Sequence, residues 1–89
     1  MKRLGNTRAE EAYRSTFVLG LPKNVGYEAH QMIHLLMAAH SWQDAGVIGH
    51  IAEWSNYPGR YGLRVEGKWF LTFEWHDLMG AVEIKLERR

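Results

Sequence analysis

The sequence predicts an α+β domain, in which two N-terminal helices pack on a C-terminal antiparallel sheet of three or four strands. Three observations favour this fold class. Apolar residues recur every three or four positions before residue 42, they alternate with polar residues after residue 60, and clusters of Gly, Pro and Asn separate the segments. The chain has 89 residues and no internal repeat, so one domain over residues 1–89 is expected.

The first helix is predicted to begin at Thr7. Thr7 can cap it, with Glu10 at the third helical position completing a capping box. Small and apolar residues then recur at helical spacing: Ala9, Ala12, Tyr13, Thr16, Phe17 and Gly20. The stretch TFVLGL is also compatible with a strand, and Pro22 ends the element in either case.

The second helix is predicted over the segment VGYEAHQMIHLLMAAHSW. Its inward stripe consists of Ala29, Ile33, Leu36, Met37 and His40. The next stretch, SWQDAGVIG, predicts a turn with one helical turn capped by Ser41. The stretch HIAEWSNYPGR predicts a loop, with Asn56, Pro58 and Gly59 as turn residues.

Alternation predicts three strands after this loop. In the first, the apolar positions are Tyr61, Leu63 and Val65, and Gly67 allows a tight turn to the second. One face of the second carries Trp69, Leu71, Phe73 and Trp75, and the other carries Phe70, Thr72 and Glu74. The last strand, AVEIKLERR, alternates Val82, Ile84 and Leu86 with charged residues.

Composition excludes several classes of protein. A hydrophobic content of 46% with four Trp argues against disorder. The absence of Cys rules out disulfides and thiolate zinc sites, and no apolar run is long enough for a membrane span, so a soluble cytoplasmic protein without a membrane partner is expected. The net charge is +1 and residues 24–59 contain no Lys or Arg, which leaves only a local basic patch for nucleic acid.

The hairpin RYGLRVEGKWFLTFEW and the order of elements around it resemble the RelE/ParE superfamily of toxins, and within it the HigB branch, known as plasmid maintenance killer proteins. The resemblance covers residues 24–86. The matching residues are His50, Tyr61, Leu63, Arg64, Val65, Trp69, Leu71, Thr72, Phe73, Val82, Glu83 and Ile84.

This resemblance implies the toxin of a type II toxin–antitoxin system, a ribosome-dependent mRNA endonuclease (mRNA interferase). Such toxins need no metal or other cofactor, because the RNA 2′-hydroxyl is the nucleophile and the protein supplies cations and a proton-transfer group. The implied partners are a cognate antitoxin protein, the ribosome and mRNA. The resemblance leaves open whether the chain also forms a homo-oligomer.

Eight residues are candidates for the site. Arg60, Arg64 and Lys68 are expected to bind RNA phosphate on one concavity of the sheet. His50 is the candidate for proton transfer, and the catalytic candidates are His50, Arg64, Glu87 and Arg88. Trp54 and Tyr57 are candidates for stacking RNA bases.

Each candidate also has a purely structural interpretation. Arg64 could pair across the hairpin with Glu74, and Glu87 could belong to a charged edge strand that resists aggregation. Trp54 and Tyr57 could contact a protein partner. His30 and His34 have metal-ligand spacing on the second helix, but no third ligand is indicated, so no metal site is expected.

The chain departs from the HigB pattern in four places. Phe70 stands where the branch usually has Arg, and the end Leu86–Arg89 lacks His and Tyr. The second helix lacks its usual Arg residues, and only the segment from Met1 to Leu4 could form the usual first strand. These departures keep two alternatives open: a catalytically degenerate protein-binding module and a ParE-like gyrase inhibitor.

Overall fold

The computed structural model of the protein describes residues 2–54 and 57–89. Three helices precede four strands along the chain, which is the predicted α+β class. The helices are α1 (Thr7–Arg14), α2 (Lys23–Ala38) and α3 (Trp42–Ile48). The strands are β1 (Ile51–Glu53), β2 (Arg60–Glu66), β3 (Trp69–His76) and β4 (Gly80–Arg88). The predicted turn residue Asn56 and the predicted strand residue Met1 lie outside the described residues.

The four strands form one antiparallel sheet in the order β1-β2-β3-β4. The hairpin of β2 and β3 is confirmed, with Leu63 opposite Leu71 and Tyr61 opposite Phe73. Gly67 is the first residue of its two-residue loop and has φ +57°, a value that L side chains rarely adopt. The alternation of apolar and polar residues, together with Gly67 at the turn, therefore determines the β2–β3 hairpin.

The helices cover one face of the sheet, and the core lies between them. α2 contributes Val25, Ala29, Ile33 and Leu36 to this core, all of them buried. The sheet contributes Leu63, Leu71, Phe73, Ala81, Ile84 and Leu86. Trp69 and Trp75 are partly buried against the same cluster, as predicted. The opposite face of the sheet, which we call the outer face, carries no helix within the described residues.

The first helix is shorter than predicted and ends at Arg14. Its N-cap is Asn6 rather than Thr7, and the Ala9 N–H donates to the Asn6 side-chain oxygen over 2.9 Å. The same oxygen accepts from the Leu86 N–H of β4 at 3.2 Å, so the cap also fastens α1 to the sheet. The following segment, predicted as helix or strand, is irregular but buries Val18 and Leu21.

Two segments predicted as a turn and a loop contain regular structure. The turn holds the seven-residue α3, and its predicted cap is confirmed, because the Asp44 N–H donates to Ser41 Oγ at 3.1 Å. The loop holds β1, in which Ala52 lies opposite Gly62. A three-residue strand has too little alternation to be visible in a sequence.

The N-terminal segment covers the free edge of β4. Leu4 forms a parallel bridge with Ile84, the Glu83 N–H donates to the Lys2 carbonyl at 2.8 Å, and the Gly5 N–H donates to the Ile84 carbonyl at 2.7 Å. Arg3 adds a bond from Nε to the Ala81 carbonyl at 2.9 Å. The edge is thereby closed to other strands over these residues.

A β-bulge interrupts β4 at Glu83. Thr72 pairs with Lys85 but Glu74 pairs with Val82, so β4 has one extra residue. Val82 therefore lies opposite Glu74, on the face away from Ile84 and Leu86, and the predicted common apolar face is wrong at Val82. Glu83 has φ +51°, which for a residue with a side chain is strained.

Replacing Glu83 should reveal this strain. We expect Glu83→Val to lower the free energy of unfolding by about 2 kcal/mol, since a β-branched side chain is least compatible with positive φ. Glu83→Gly should leave stability unchanged or raise it, because Gly adopts this conformation without steric cost. Thermal and denaturant unfolding of the three proteins would measure the order, and equal stability of both variants would contradict the strained conformation.

Candidate functional site

The outer face carries most of the polar side chains of the sheet. Strand pairing places Arg60 opposite Glu74, Gly62 opposite Thr72, and Thr72 in turn opposite Lys85. Directly opposed residues share a face, so these side chains are neighbours across three strands. The remaining outer-face residues of β2 to β4 that matter for the site are Arg64, Phe70 and Glu87.

Arg60 is the centre of this face. Its side chain is only 12% exposed, and its guanidinium donates to Glu74 Oε2 at 3.1 Å and to Thr72 Oγ1 at 2.8 Å. A third bond, of 3.0 Å, goes to the carbonyl of the bulge residue Glu83. Because the three acceptors come from β3 and β4, the guanidinium is fixed relative to the sheet rather than free in solvent.

Thr72 connects Arg60 to a second carboxylate. It is fully buried, and its hydroxyl accepts from Arg60 and donates to Glu87 Oε2. A hydroxyl can do both at once because it has one proton and two lone pairs. Glu87 is therefore oriented by a buried neighbour, which is how reactive carboxylates are usually held in place.

A cleft of about 120 Å³ opens beside this network. Its lining residues are Trp54, Tyr57, Arg60, Lys85 and Glu87. Two cations and one carboxylate thus lie against two aromatic rings. This combination suits an anionic ligand with a flat group, since cations attract the anion and aromatic faces stack on the flat part.

The aromatic wall depends on Gly62. A Cβ atom at position 62 would lie 2.7 Å from Cε3 of Trp54, so only glycine lets the indole rest on β2. The indole also packs against Phe70, with ring centroids 5.3 Å apart. The Arg89 guanidinium lies over both rings, 5.5 Å from the Trp54 centroid and 5.9 Å from that of Phe70.

A substitution at Gly62 should expose this dependence. We expect Gly62→Ala to lower the free energy of unfolding by about 1–2 kcal/mol, because the methyl group must displace the Trp54 ring. The same substitution in a Trp54→Ala background should cost almost nothing, which a double-mutant cycle measures. Gly46→Ala in α3 is the control, because a Cβ atom at that position would meet nothing within 4 Å. If the stability costs of the substitutions at 54 and 62 simply add, the contact between these two residues is contradicted.

The structure brings four of the predicted site residues together: Trp54, Tyr57, Arg60 and Glu87 line one cleft. Arg64 shares the outer face, but it is exposed and its Nε donates to the Gly67 carbonyl at 3.0 Å. The expected single concavity of Arg60, Arg64 and Lys68 is therefore not formed by the described residues, since Arg64 is bound to its own turn and Lys68 lies in that turn.

Two further candidates lie outside the cleft. His50 is exposed and directly precedes β1. Arg88 lies opposite Trp69, whose ring is covered by Arg8 of α1 at 5.1 Å, so Arg88 belongs to the helix side of the sheet. Their catalytic roles stay predictions that this geometry does not favour. The pairing expected between Arg64 and Glu74 is made by Arg60 instead.

Sequence reasoning missed Lys85 and the connecting role of Thr72. Both depend on which residues of three strands lie side by side. The bulge at Glu83 shifts that register by one residue, and alternation in the sequence carries no mark of it. Phe70, which stands where the HigB branch usually has Arg, supports the Trp54 ring.

His30 and His34 have structural partners. His30 Nδ1 donates to the Ala12 carbonyl at 2.7 Å, and His34 Nε2 donates to the Tyr13 carbonyl at 2.9 Å. These carbonyls belong to the last turn of α1 and have no acceptor role within that helix. Among residues 2–54 and 57–89, no group of three His, Cys, Asp or Glu side chains is arranged to hold a metal ion.

No family model, curated protein or solved structure matches the chain. Within the described part of the chain, no helix is both long enough and apolar enough to cross a membrane.

Proposed function

We propose that the protein is a metal-independent endoribonuclease of the toxin type, acting on mRNA at the ribosome, as its resemblance to the HigB branch of the RelE/ParE superfamily suggests. The single observation that carries the proposal is the composition of the outer-face cleft. A carboxylate, a guanidinium, an ammonium group and two aromatic rings lie around the same space of about 120 Å³. Cleavage of RNA by its own 2′-hydroxyl needs a proton acceptor, a proton donor and a cation beside the phosphate, and the carboxylate, the ammonium group and the guanidinium can supply these.

The chemistry assigns a role to each group. Glu87 accepts the proton of the 2′-hydroxyl, and the 2′-oxygen forms a bond to the adjacent phosphorus. The bond from phosphorus to the 5′-oxygen breaks, Lys85 gives that oxygen a proton, and a 2′,3′-cyclic phosphate remains on the upstream fragment. Arg60 neutralises the charge that accumulates on the phosphoryl oxygens, which is the term that usually lowers the barrier most.

The aromatic residues supply substrate binding. Trp54 and Tyr57 line the cleft, and Tyr57 is 60% exposed. An unpaired base can stack on such rings with little dependence on its identity, for about 1–3 kcal/mol per base. Single-stranded RNA is therefore the expected substrate form, because duplex bases are already stacked on one another.

Cleavage on purified ribosomes tests the proposal directly. The protein is added to ribosomes that hold a defined mRNA, and the fragment ends are analysed for 2′,3′-cyclic phosphate. We expect fragments with that end, together with arrested growth when the protein is expressed without an antitoxin. Intact mRNA would overturn the nuclease, and gyrase-dependent DNA cleavage in a parallel assay would favour the ParE-like alternative.

The second candidate function is a catalytically degenerate protein-binding module. The observation that favours it is the saturation of Arg60, whose guanidinium already donates to Glu74, Thr72 and the Glu83 carbonyl. Binding of single-stranded oligoribonucleotides with a 2′-deoxy substitution at the scissile position, which blocks cleavage, separates the two functions. Binding supports the nuclease site, and no binding supports the degenerate module.

A further inference from the structure

One side of α2 is exposed and partly apolar. The residues of this exposed stripe recur every three or four positions and are Asn24, Tyr27, Gln31, Leu35 and Ala38. Tyr27 is 52% exposed and Leu35 is 55% exposed, although both are large apolar side chains. The opposite side of the helix forms the core. Three of the five residues, Tyr27, Leu35 and Ala38, are apolar, and exposed apolar side chains along one side of a helix are typical of helix–helix contacts.

An apolar cleft lies at each end of this stripe. The cleft at the N-terminal end of α2 has a volume of about 260 Å³ and is lined by Thr16, Phe17, Lys23 and Tyr27. The cleft at the C-terminal end has about 240 Å³ and is lined by Leu35, Ala38, Ala39, Asp44, Val47 and Ile48. Phe17 is 60% exposed and Val47 is 86% exposed, so each cleft also carries a protruding apolar side chain.

The two clefts have opposite charge. The lining of the first cleft includes a basic residue and no acidic one, and the lining of the second includes an acidic residue and no basic one. The charged side chain in the first cleft is Lys23 and the one in the second is Asp44. Similar size, apolar lining and opposite charge make the two ends of α2 complementary to each other.

We propose that a second copy of the chain covers this surface, in a two-fold dimer with antiparallel α2 helices. A two-fold axis near Gln31 brings the cleft of Lys23 in one copy over the cleft of Asp44 in the other. Each contact then occurs twice, as an isologous interface requires. Tyr27 and Leu35 are eight residues apart, about 12 Å along the helix, with Gln31 midway between them.

A second copy accounts for the surface better than a different partner does. A different protein would need two apolar side chains at the spacing of the two clefts, one beside a basic residue and one beside an acidic residue. This chain already has both, in Phe17 beside Lys23 and Val47 beside Asp44. The outer face with its cleft lies on the other side of the sheet and stays open in the dimer. The dimer therefore does not depend on the proposed nuclease activity.

Charge reversal tests the pairing of the two clefts. Sedimentation equilibrium should show a dimer for the native protein, and Lys23→Glu should weaken it by about tenfold or more. Glu is favourable in the first turn of a helix, so unfolding does not explain such a loss. Lys68→Glu, in the exposed hairpin turn, is the control and should leave the dimer intact.

The decisive experiment is recovery of the dimer when both charges are reversed. Asp44→Lys alone should also weaken the dimer, whereas the double variant Lys23→Glu/Asp44→Lys should regain it, and so should an equimolar mixture of the two single variants. A thermal unfolding curve of each variant verifies that it is folded. A native protein that is monomeric at high concentration, or a double variant that is no better than the single ones, overturns the proposal.

A disulfide locates the two-fold axis. The chain has no Cys, so Gln31→Cys introduces a single thiol. Near the axis, two such thiols meet, and mild oxidation should give a covalent dimer within minutes. The exposed hairpin variant Glu66→Cys is the control and should cross-link many times more slowly. Equal rates for the two variants would contradict an axis near Gln31.

Discussion

Replacing Glu87 by Gln is expected to reduce RNA cleavage by about 10²–10⁴-fold, because the amide cannot accept the proton of the 2′-hydroxyl. The fold should survive this change. The amide oxygen of Gln still accepts from the Thr72 hydroxyl, so the buried contact is retained and the free energy of unfolding should change by about 1 kcal/mol or less. The measurement is the single-turnover rate of mRNA cleavage on purified ribosomes.

Glu66→Gln is the matched control for this variant. Glu66 ends β2 beside the hairpin turn and is exposed, and it is removed from the lining of the cleft. The same loss of one negative charge at position 66 should leave the cleavage rate unchanged. If both variants cleave at the native rate, Glu87 is not the proton acceptor, and His50 becomes the candidate to replace next.

The part of the fold that could be predicted is the part set by local rules. The β2–β3 hairpin follows from the alternation around Leu63 and Leu71 and from the left-handed conformation that Gly67 adopts at the turn. The long helix α2 follows from its periodic apolar residues, although it ends at Ala38, so the predicted inward residue His40 lies beyond it and is exposed. In both cases the determining residues lie within a few positions of one another.

The incorrect predictions concern features that depend on residues far apart in the sequence. Asn6 replaces Thr7 as the cap of α1 because it also bonds to Leu86, eighty positions away. The segment after Arg14 has enough apolar residues for a helix, but Val18 and Leu21 are buried in an irregular conformation instead. Tertiary contacts decide such cases, and local propensity is too weak to oppose them.

The candidate site shows the same limit. Arg60 and Arg64 occupy equivalent positions on one face of β2, and nothing local distinguishes them. The register of β3 and β4 places Thr72 and Glu87 beside Arg60, while Arg64 lies next to the bulge near Val65 and donates to the Gly67 carbonyl of the hairpin turn. A sequence therefore predicts which face carries the cations, but the strand pairing decides which of them enters the site.

The charge balance of the outer face explains how this arrangement remains stable. Arg60 forms an ion pair with Glu74, Glu87 accepts from the Thr72 hydroxyl, and Lys85 lines the same cleft as Glu87, so cationic and anionic groups balance there. Glu74 has a side chain that is 46% exposed and can turn toward solvent when an anion binds. Phosphate would then replace the carboxylate as a partner of Arg60, while Thr72 and the Glu83 carbonyl continue to hold the guanidinium in place.

Arg60→Ala is accordingly expected to affect both stability and activity. It removes the donor of three hydrogen bonds, leaving the Glu83 carbonyl without its contact and the Glu74 carboxylate without its ion pair. We expect the free energy of unfolding to fall by about 2 kcal/mol, since unsatisfied polar groups at a half-buried site keep their desolvation cost. Cleavage should fall by about 10²–10³-fold, as is typical when a donor to the transition-state anion is lost.

Two further variants separate these effects. Arg60→Lys keeps the charge but cannot reach Glu74, Thr72 and the Glu83 carbonyl together, so it should restore part of the activity and little of the stability. Arg64→Ala removes an exposed guanidinium from the same strand and should change unfolding by less than about 0.5 kcal/mol. Chemical denaturation and cleavage rates measured on the same preparations distinguish the cases. If Arg64→Ala abolished cleavage and Arg60→Ala did not, the phosphate site would lie at the hairpin end of β2, and the cleft beside Glu87 would have to be purely structural.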